Sequence, residues 1–297
     1  MTHDSFERIW RSLARRLVLA LIGVLAVVTD EPGAADNVRG ENDGRSAPFF
    51  MFTTSKFAND GERDGVLSAL LQHVTNRDYL GLRLAQEVPE LGDRVGRAHL
   101  YVLPPSLGDV QRQSARGREP GTPGLIVYDP EHWPQTPGEE LADVPAAIAS
   151  GKVLARKSGC HDYGIAPDGW LIGIKPDTCG YDLSAGIHRT VDWDGIALFD
   201  IQAQRLLGEE CVSHSGTDAY VGLVAAIAHE VRARAQDLKI VAQLSFRFTA
   251  PERMLAAIER LRGIADGFYI AYPRDVGQAC SYCSPRNLDR VLAAIRG

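Results

Sequence analysis

The sequence predicts an α/β protein, a single (β/α)8 TIM-type barrel preceded by a signal or anchor segment. Short runs rich in Ile, Val, Phe, Leu and Tyr alternate with longer segments of helical periodicity, the pattern of parallel strands with helices outside them. Residues 48–297 give about 250 residues, the usual size of such a barrel. The competing open doubly wound sheet lacks its marks: no G-x-G-x-x-G turn follows the first strand, and no G-x-x-x-x-G-K-[ST] loop occurs. With 45% hydrophobic and 24% charged residues the composition is that of an ordinary globular chain. A net charge of −6 argues against a general nucleic-acid binder, which carries a basic stripe.

The elements follow in order. "ERIWRSLARR" is basic and amphipathic, and Leu17–Val28 (LVLALIGVLAVV) has no polar side chain. That run is shorter than the roughly 20 residues of a spanning helix. It suits the central region of a secretory signal, with small residues around Ala35 for cleavage. The alternative is an uncleaved anchor, with its arginines on the cytoplasmic side and membrane contact limited to this segment. Residues 1–35 therefore read as signal peptide or anchor, 36–47 as a flexible tether, and 48–297 as the barrel, secreted or otherwise extracytoplasmic.

Within the barrel, candidate strands are 49–53, 98–103, 124–128, 170–175, 195–201, 239–246 and 267–272, with 79–85 an ambiguous eighth. Helices are expected over "DGVLSALLQHV" and over "VPAAIASGKVLARKSG" up to Gly159. Another is expected over 216–237, with Thr217 or Asp218 as cap. "TAPERMLAAIERLRG" and "SPRNLDRVLAAIRG" each place a proline early and a glycine at the end.

In a barrel the carboxyl ends of the strands share the face that carries chemistry. Strand 124–128 runs into Asp129, Glu131, His132 and Trp133, and strand 170–175 into Lys175. "GIALFDIQAQ" delivers Asp200, Gln202 and Gln204 to one side by period-two alternation, and "IVAQLSFRF" delivers Gln243, Ser245 and Arg247. "GFYIAYP" supplies Tyr269 and Tyr272. Buried unpaired, such polar groups cost roughly 1–3 kcal/mol each, so their convergence points to a polar cleft. Trp133, Tyr269, Tyr272 and Phe199 add flat faces. Rings beside carboxylates, amides and a guanidinium are what a sugar requires: stacking on its apolar face and hydrogen bonds to its hydroxyls.

Two carboxylates flanking a glycosidic bond divide the work into acid and base or acid and nucleophile. Asp129, Glu131 and Asp200 are the catalytic candidates. Glu131 is the preferred acid, because Trp133 and His132 beside it exclude water. His132, Trp133, Lys175, Gln202, Gln204, Gln243, Arg247, Tyr269 and Tyr272 are the expected substrate contacts. No metal and no cofactor are expected, and the expected ligand is a carbohydrate-like small molecule or polymer.

"DGIALFDIQ" (194–202) resembles the strand signature of chitinase-type glycoside hydrolases, an Asp-Gly opening followed by alternating acids that ends in a catalytic Glu. The likeness covers nine residues. Asp200 stands one position out of step, and Gln202 lies nearest the family's glutamic acid. A Gln cannot protonate a leaving group. The resemblance thus implies either an acid from another strand, such as Glu131, or a barrel that binds sugar without cleaving it. One rival reading is a metal-dependent phosphodiesterase using Asp129, Glu131, His132, Asp200 and His214, with Arg247 on the phosphate. Another is a non-catalytic carbohydrate binder, favoured by the three glutamines.

Five cysteines give an odd count. "CSYC" (280–283) has no second pair to complete a zinc site, so a local disulfide is expected. Cys179, Cys211, Cys280 and Cys283 all follow strands, which favours Cys179–Cys211 with Cys280–Cys283 and a free Cys160; other pairings are possible. "CHDYG" (160–164) is expected to be a loop on the barrel's stability face.

Overall fold

The computed structural model describes residues 48–54, 59–116, 122–157, 162–214, 216–272 and 280–297. The signal or anchor segment, the tether, Gly159, Cys160 and His161 lie outside them. In chain order the strands are β1 (Phe49–Thr54), β2 (Tyr79–Gly81), β3 (Leu100–Val102), β4 (Leu125–Tyr128) and β5 (Asp162–Ile165). They continue with β6 (Ile174–Lys175), β7 (Gly180–Tyr181), β8 (Leu198–Ile201), β9 (Lys239–Ser245) and β10 (Gly267–Tyr272). Eight of these close a parallel barrel in the order β1-β10-β9-β8-β5-β4-β3-β2, and β6 pairs with β7 in a separate antiparallel hairpin. The TIM-type fold expected from the sequence is the observed one.

Period-two alternation sorts each barrel strand into an inner and an outer face. Met51, Tyr101, Val127, Leu198, Val241 and Tyr269 belong to an apolar cluster within the barrel. Their neighbours Phe52, Ile126, Phe199, Ile240, Phe268 and Tyr272 belong to the larger cluster that packs beneath the helices. Side-chain caps set several helix starts: Asn59 for Asp60–His73, Ser106 for Leu107–Ala115 and Ser284 for Pro285–Arg296. Neither Thr217 nor Asp218 is a cap, because that helix begins a residue earlier and runs Gly216–Arg232. Below the strands, buried Asp78 accepts the amide of Phe50 and pairs with Arg296 of the last helix, tying the two ends of the barrel sequence together.

The fifth strand departs from expectation. Residues 170–175 are apolar enough for a strand but reverse direction at Gly173 (φ 95°), where a Cβ would meet the Asp182 carbonyl oxygen at 2.2 Å. The strand is Asp162–Ile165 instead, inside the "CHDYG" region expected to be a loop. It pairs with β4 over its whole length and with β8 through Gly164 and Ile165. The 79–85 segment splits: Tyr79–Gly81 is the second strand, and Leu82–Glu87 is helical. Between β5 and β8 no α-helix intervenes; the β6–β7 hairpin and two 3-10 turns, Leu183–Ala185 and Ile187–Arg189, take its place. The Cys179–Cys211 disulfide joins the hairpin to the 3-10 segment Glu209–His214, and Cys280–Cys283 closes the loop before the last helix. Both expected pairs are formed.

Candidate functional site

The loop after β4 is fixed by its own chain. Asp129 donates its amide to the Pro104 carbonyl at 3.0 Å. Thr136 Oγ1 accepts from the amide of Glu131 at 3.2 Å and from Trp133 Nε1 at 3.1 Å, and itself donates to the Pro105 carbonyl at 2.9 Å. A short loop so pinned holds Glu131, His132 and Trp133 in place against the entropy of a free segment.

The loop after β5 meets it through Asp168. That carboxylate is 9% exposed, accepts the His132 amide at 2.8 Å, pairs with His132 Nδ1 at 2.6 Å, and accepts the Leu171 amide at 3.0 Å. With Nδ1–H donating to Asp168, the neutral imidazole carries its lone pair on Nε2. In that tautomer the half-exposed ring presents Nε2 as an acceptor.

These loops form one wall of a cavity of about 390 Å³ at the carboxyl ends of the strands. Glu131, His132 and Trp133 come from after β4, and Asp168 and Trp170 from after β5. Gln202, Gln204 and Arg205 follow β8, while Gln243, Arg247 and Phe248 come from β9 and its turn. The volume is that of a small-molecule site. Trp133 is 39% exposed and Trp170 54%, unusual for indoles unless a partner covers them.

Beneath this lining lie two more carboxyls. Asp129 is buried on the inner face at the end of β4, and Gln202 Nε2 donates to its Oδ1 at 2.7 Å and to the Ala166 carbonyl at 2.5 Å. Asp200 sits deeper, 2% exposed, and its Oδ1 makes no hydrogen bond among the described residues. Burial, followed by the nearby Glu131 and Asp200 carboxylates, pushes Asp129 well above the usual carboxylate range. Burial and then Glu131 do the same to Asp200. Glu131 is also raised, chiefly by desolvation and then by Asp168, with Gln202 and Arg205 opposing the rise.

The twelve residues expected in the site are thus divided. Glu131, His132, Trp133, Gln202, Gln204, Gln243 and Arg247 line the cavity. Asp129, Asp200 and Tyr269 lie below it in the barrel interior; Tyr269 stacks edge-on against Tyr101 with centroids 6.4 Å apart. Of the twelve, Tyr272 and Lys175 lie elsewhere. Tyr272 has the wrong parity: its ring packs on Phe246 in the helix layer and its hydroxyl reaches Glu62 Oε1 at 3.0 Å. Phe199 likewise faces outward, against Trp193. Lys175 is exposed on the β6–β7 hairpin and pairs with Asp182 at 3.2 Å, because 170–175 is not a barrel strand. His214 ends the 3-10 segment after β8.

Asp168, Trp170, Arg205 and Phe248 were not expected in the site. The first two follow a strand end that was assigned elsewhere, and "APDGW" would have drawn notice had Asp162–Ile165 been read as the strand. Arg205 is adjacent to Gln204 and carried no signal of its own. Among the described residues no group of three His, Cys, Asp or Glu side chains is disposed to hold a metal ion, so the phosphodiesterase reading gains no ligand set there.

No protein-family model matches the chain, and no curated protein matches it in sequence. Among solved structures it is similar to a citrate lyase from Burkholderia xenovorans LB400, with 11% identity and a TM-score of 0.44 over 84% of this chain and 77% of that one. It is also similar to a malate synthase from Haloferax volcanii, with 11% identity and a TM-score of 0.41 over 86% and 76%. An alpha-L-fucosidase from Lactobacillus casei matches with 9% identity and a TM-score of 0.24 over 82% and 94%. Likenesses of this strength carry no argument about chemistry.

Proposed function

We propose that the chain is an exported carbohydrate-processing barrel that holds a saccharide at its carboxyl-terminal mouth and hydrolyses a glycosidic bond there. The observation that carries this reading is the pair of exposed indoles, Trp133 and Trp170, lining the same cavity as Glu131, His132 and the amides of Gln202, Gln204 and Gln243. Indole faces take the apolar side of a sugar ring, and amides take its hydroxyls. Export is supported by the two disulfides, which persist in oxidising compartments, and by the apolar segment Leu17–Val28. No helix among the described residues is long and apolar enough to cross a membrane.

In the catalytic step Glu131, whose pKa burial raises above the usual carboxylate value, acts in its protonated form and gives its proton to the leaving-group oxygen as the C–O bond breaks. Water attacks the anomeric carbon and gives a proton to His132 Nε2, with Asp168 keeping the imidazole in the required tautomer. Proton exchange with solvent restores both groups. Asp129 and Asp200 act from below. Buried and resistant to ionisation, they leave Glu131 as the acid that touches the ligand.

A second reading, a binder without catalysis, is favoured by one observation. The two aspartates expected to share the chemistry lie under the cavity lining, and glutamines stand in it.

Screening the secreted protein against polysaccharide and phosphodiester panels, with and without chelator, tests the class of function. Chelator-insensitive release of reducing ends supports the hydrolase. Binding without release supports the second reading, and chelator-sensitive phosphodiester cleavage contradicts both.

A further inference from the structure

Among the described residues four large apolar side chains are exposed: Trp133, Val153, Trp170 and Tyr181. The two indoles line the cavity, and Trp170 keeps more than half of its surface in solvent, so it stands at the rim with a face reaching beyond. The β6–β7 hairpin continues from that rim. Ile174 lines the cavity, and its amide donates at 2.8 Å to the carbonyl of Gly169, the residue before Trp170. In the antiparallel ladder Ile174 stands directly opposite Tyr181. Opposed residues of such a pair share a face, with Cβ atoms about 5 Å apart. The face that Ile174 presents to the cavity therefore carries on to Tyr181.

Tyr181 is 37% exposed, and its hydroxyl rests over Gly222 of the helix Gly216–Arg232, where a Cβ would stand 3.1 Å from it. The 3-10 segment Gln204–Leu207 packs on the same helix, and its Gln204 and Arg205 line the cavity. The Cys179–Cys211 disulfide ties the hairpin to the next segment, Glu209–His214. Hairpin, 3-10 segments and helix thus make one braced support running outward from the cavity. A ring scattered on a surface needs no explanation. A ring that extends a cavity already edged with exposed indoles is the mark of a longer contact surface.

We infer that the ligand is a polysaccharide chain that leaves the cavity across Trp170, with Tyr181 as an outer subsite that stacks on a sugar unit beyond the cavity. This deepens the carbohydrate reading and rests on it. A chain of like units repeats the same apolar ring face, which successive aromatic surfaces take in turn. A saccharide confined to the cavity would leave Tyr181 uncovered.

The test is calorimetric titration of the full chain with cello-, manno- and xylo-oligosaccharides of two to six units. In the series that binds, affinity should rise roughly fivefold from dimer to hexamer, the factor expected of one added aromatic stacking contact. Tyr181→Ala should abolish that rise and leave the dimer bound as by the wild type, while Tyr181→Phe, which keeps the ring, should preserve it. Trp133→Ala should weaken every length alike, and circular dichroism confirms that each variant folds. Affinity independent of length in the wild type, or a rise that survives Tyr181→Ala, overturns the inference while leaving the carbohydrate reading standing. Binding of no oligosaccharide by the wild type overturns both.

Discussion

Gln202 donates through Nε2 to Asp129 Oδ1 at 2.7 Å and to the Ala166 carbonyl at 2.5 Å, joining β8, β4 and β5 beneath the cavity. A carboxylic acid at position 202 could not serve both acceptors and would add negative charge beside Asp129, Glu131 and Asp200. Gln202→Glu is therefore expected to lower stability at neutral pH by about 1–3 kcal/mol, read as a fall in Tm or in urea midpoint. An unchanged midpoint would show that the bridge does not hold the barrel mouth together.

The buried aspartates make stability depend on pH. Asp129 and Asp200 have folded-state pKa values above the usual carboxylate range, so between the unfolded and folded values the native state binds more protons. Their contribution is complete below the ordinary carboxylate pKa and is lost as pH rises through the raised value. Asp200→Asn removes the ionisable group without changing its size. Its Tm should exceed that of the wild type at neutral and alkaline pH, with the advantage shrinking toward pH 4–5. Thermal melts across that range provide the check, and a constant difference would contradict the assignment.

In the proposed hydrolase Asp168 acts through His132, to which it is hydrogen-bonded. Asp168→Asn removes the charge that holds the Nδ1–H tautomer, and turnover should fall about a hundredfold with KM little changed. Steady-state kinetics on any substrate found by screening separates this from a structural role, which would move KM and Tm instead.

The two disulfides should differ in weight. Cys179–Cys211 spans 32 residues, and chain-entropy arguments give it about 3–4 kcal/mol; Cys280–Cys283 spans 3 and contributes less. Cys179→Ser/Cys211→Ser should thus lower Tm far more than Cys280→Ser/Cys283→Ser. Alkylation without reductant should label Cys160 alone.

Much of the barrel was legible because apolar runs with period-two alternation are a direct record of burial on two faces. β9 and β10 fall within a residue of expectation. β5 was not legible, since four residues containing Gly164 look weaker than the apolar "WLIGIK" nearby. What decides between them is tertiary. Gly164 allows close approach to Leu198, where a Cβ would lie 3.1 Å from that residue's carbonyl oxygen, whereas Gly173 turns the chain. That one displacement also hid Asp168 and Trp170 and misplaced Lys175. Side-chain polarity at the strand ends identified most of the cavity lining, but not depth. Asp129 and Asp200 look in sequence like exposed strand-end acids, but in the fold they lie buried with their pKa values raised, a difference set by burial.

The most direct measurement of the central claim compares wild type with Glu131→Gln on a saccharide that the wild type cleaves, reading reducing-end release and binding side by side across pH. Wild-type turnover should fall as pH rises through the elevated pKa of Glu131, because the acid must be protonated to act. Glu131→Gln should bind the saccharide as before and lose at least a hundredfold in kcat. A Glu131→Gln variant that keeps wild-type turnover would contradict the account.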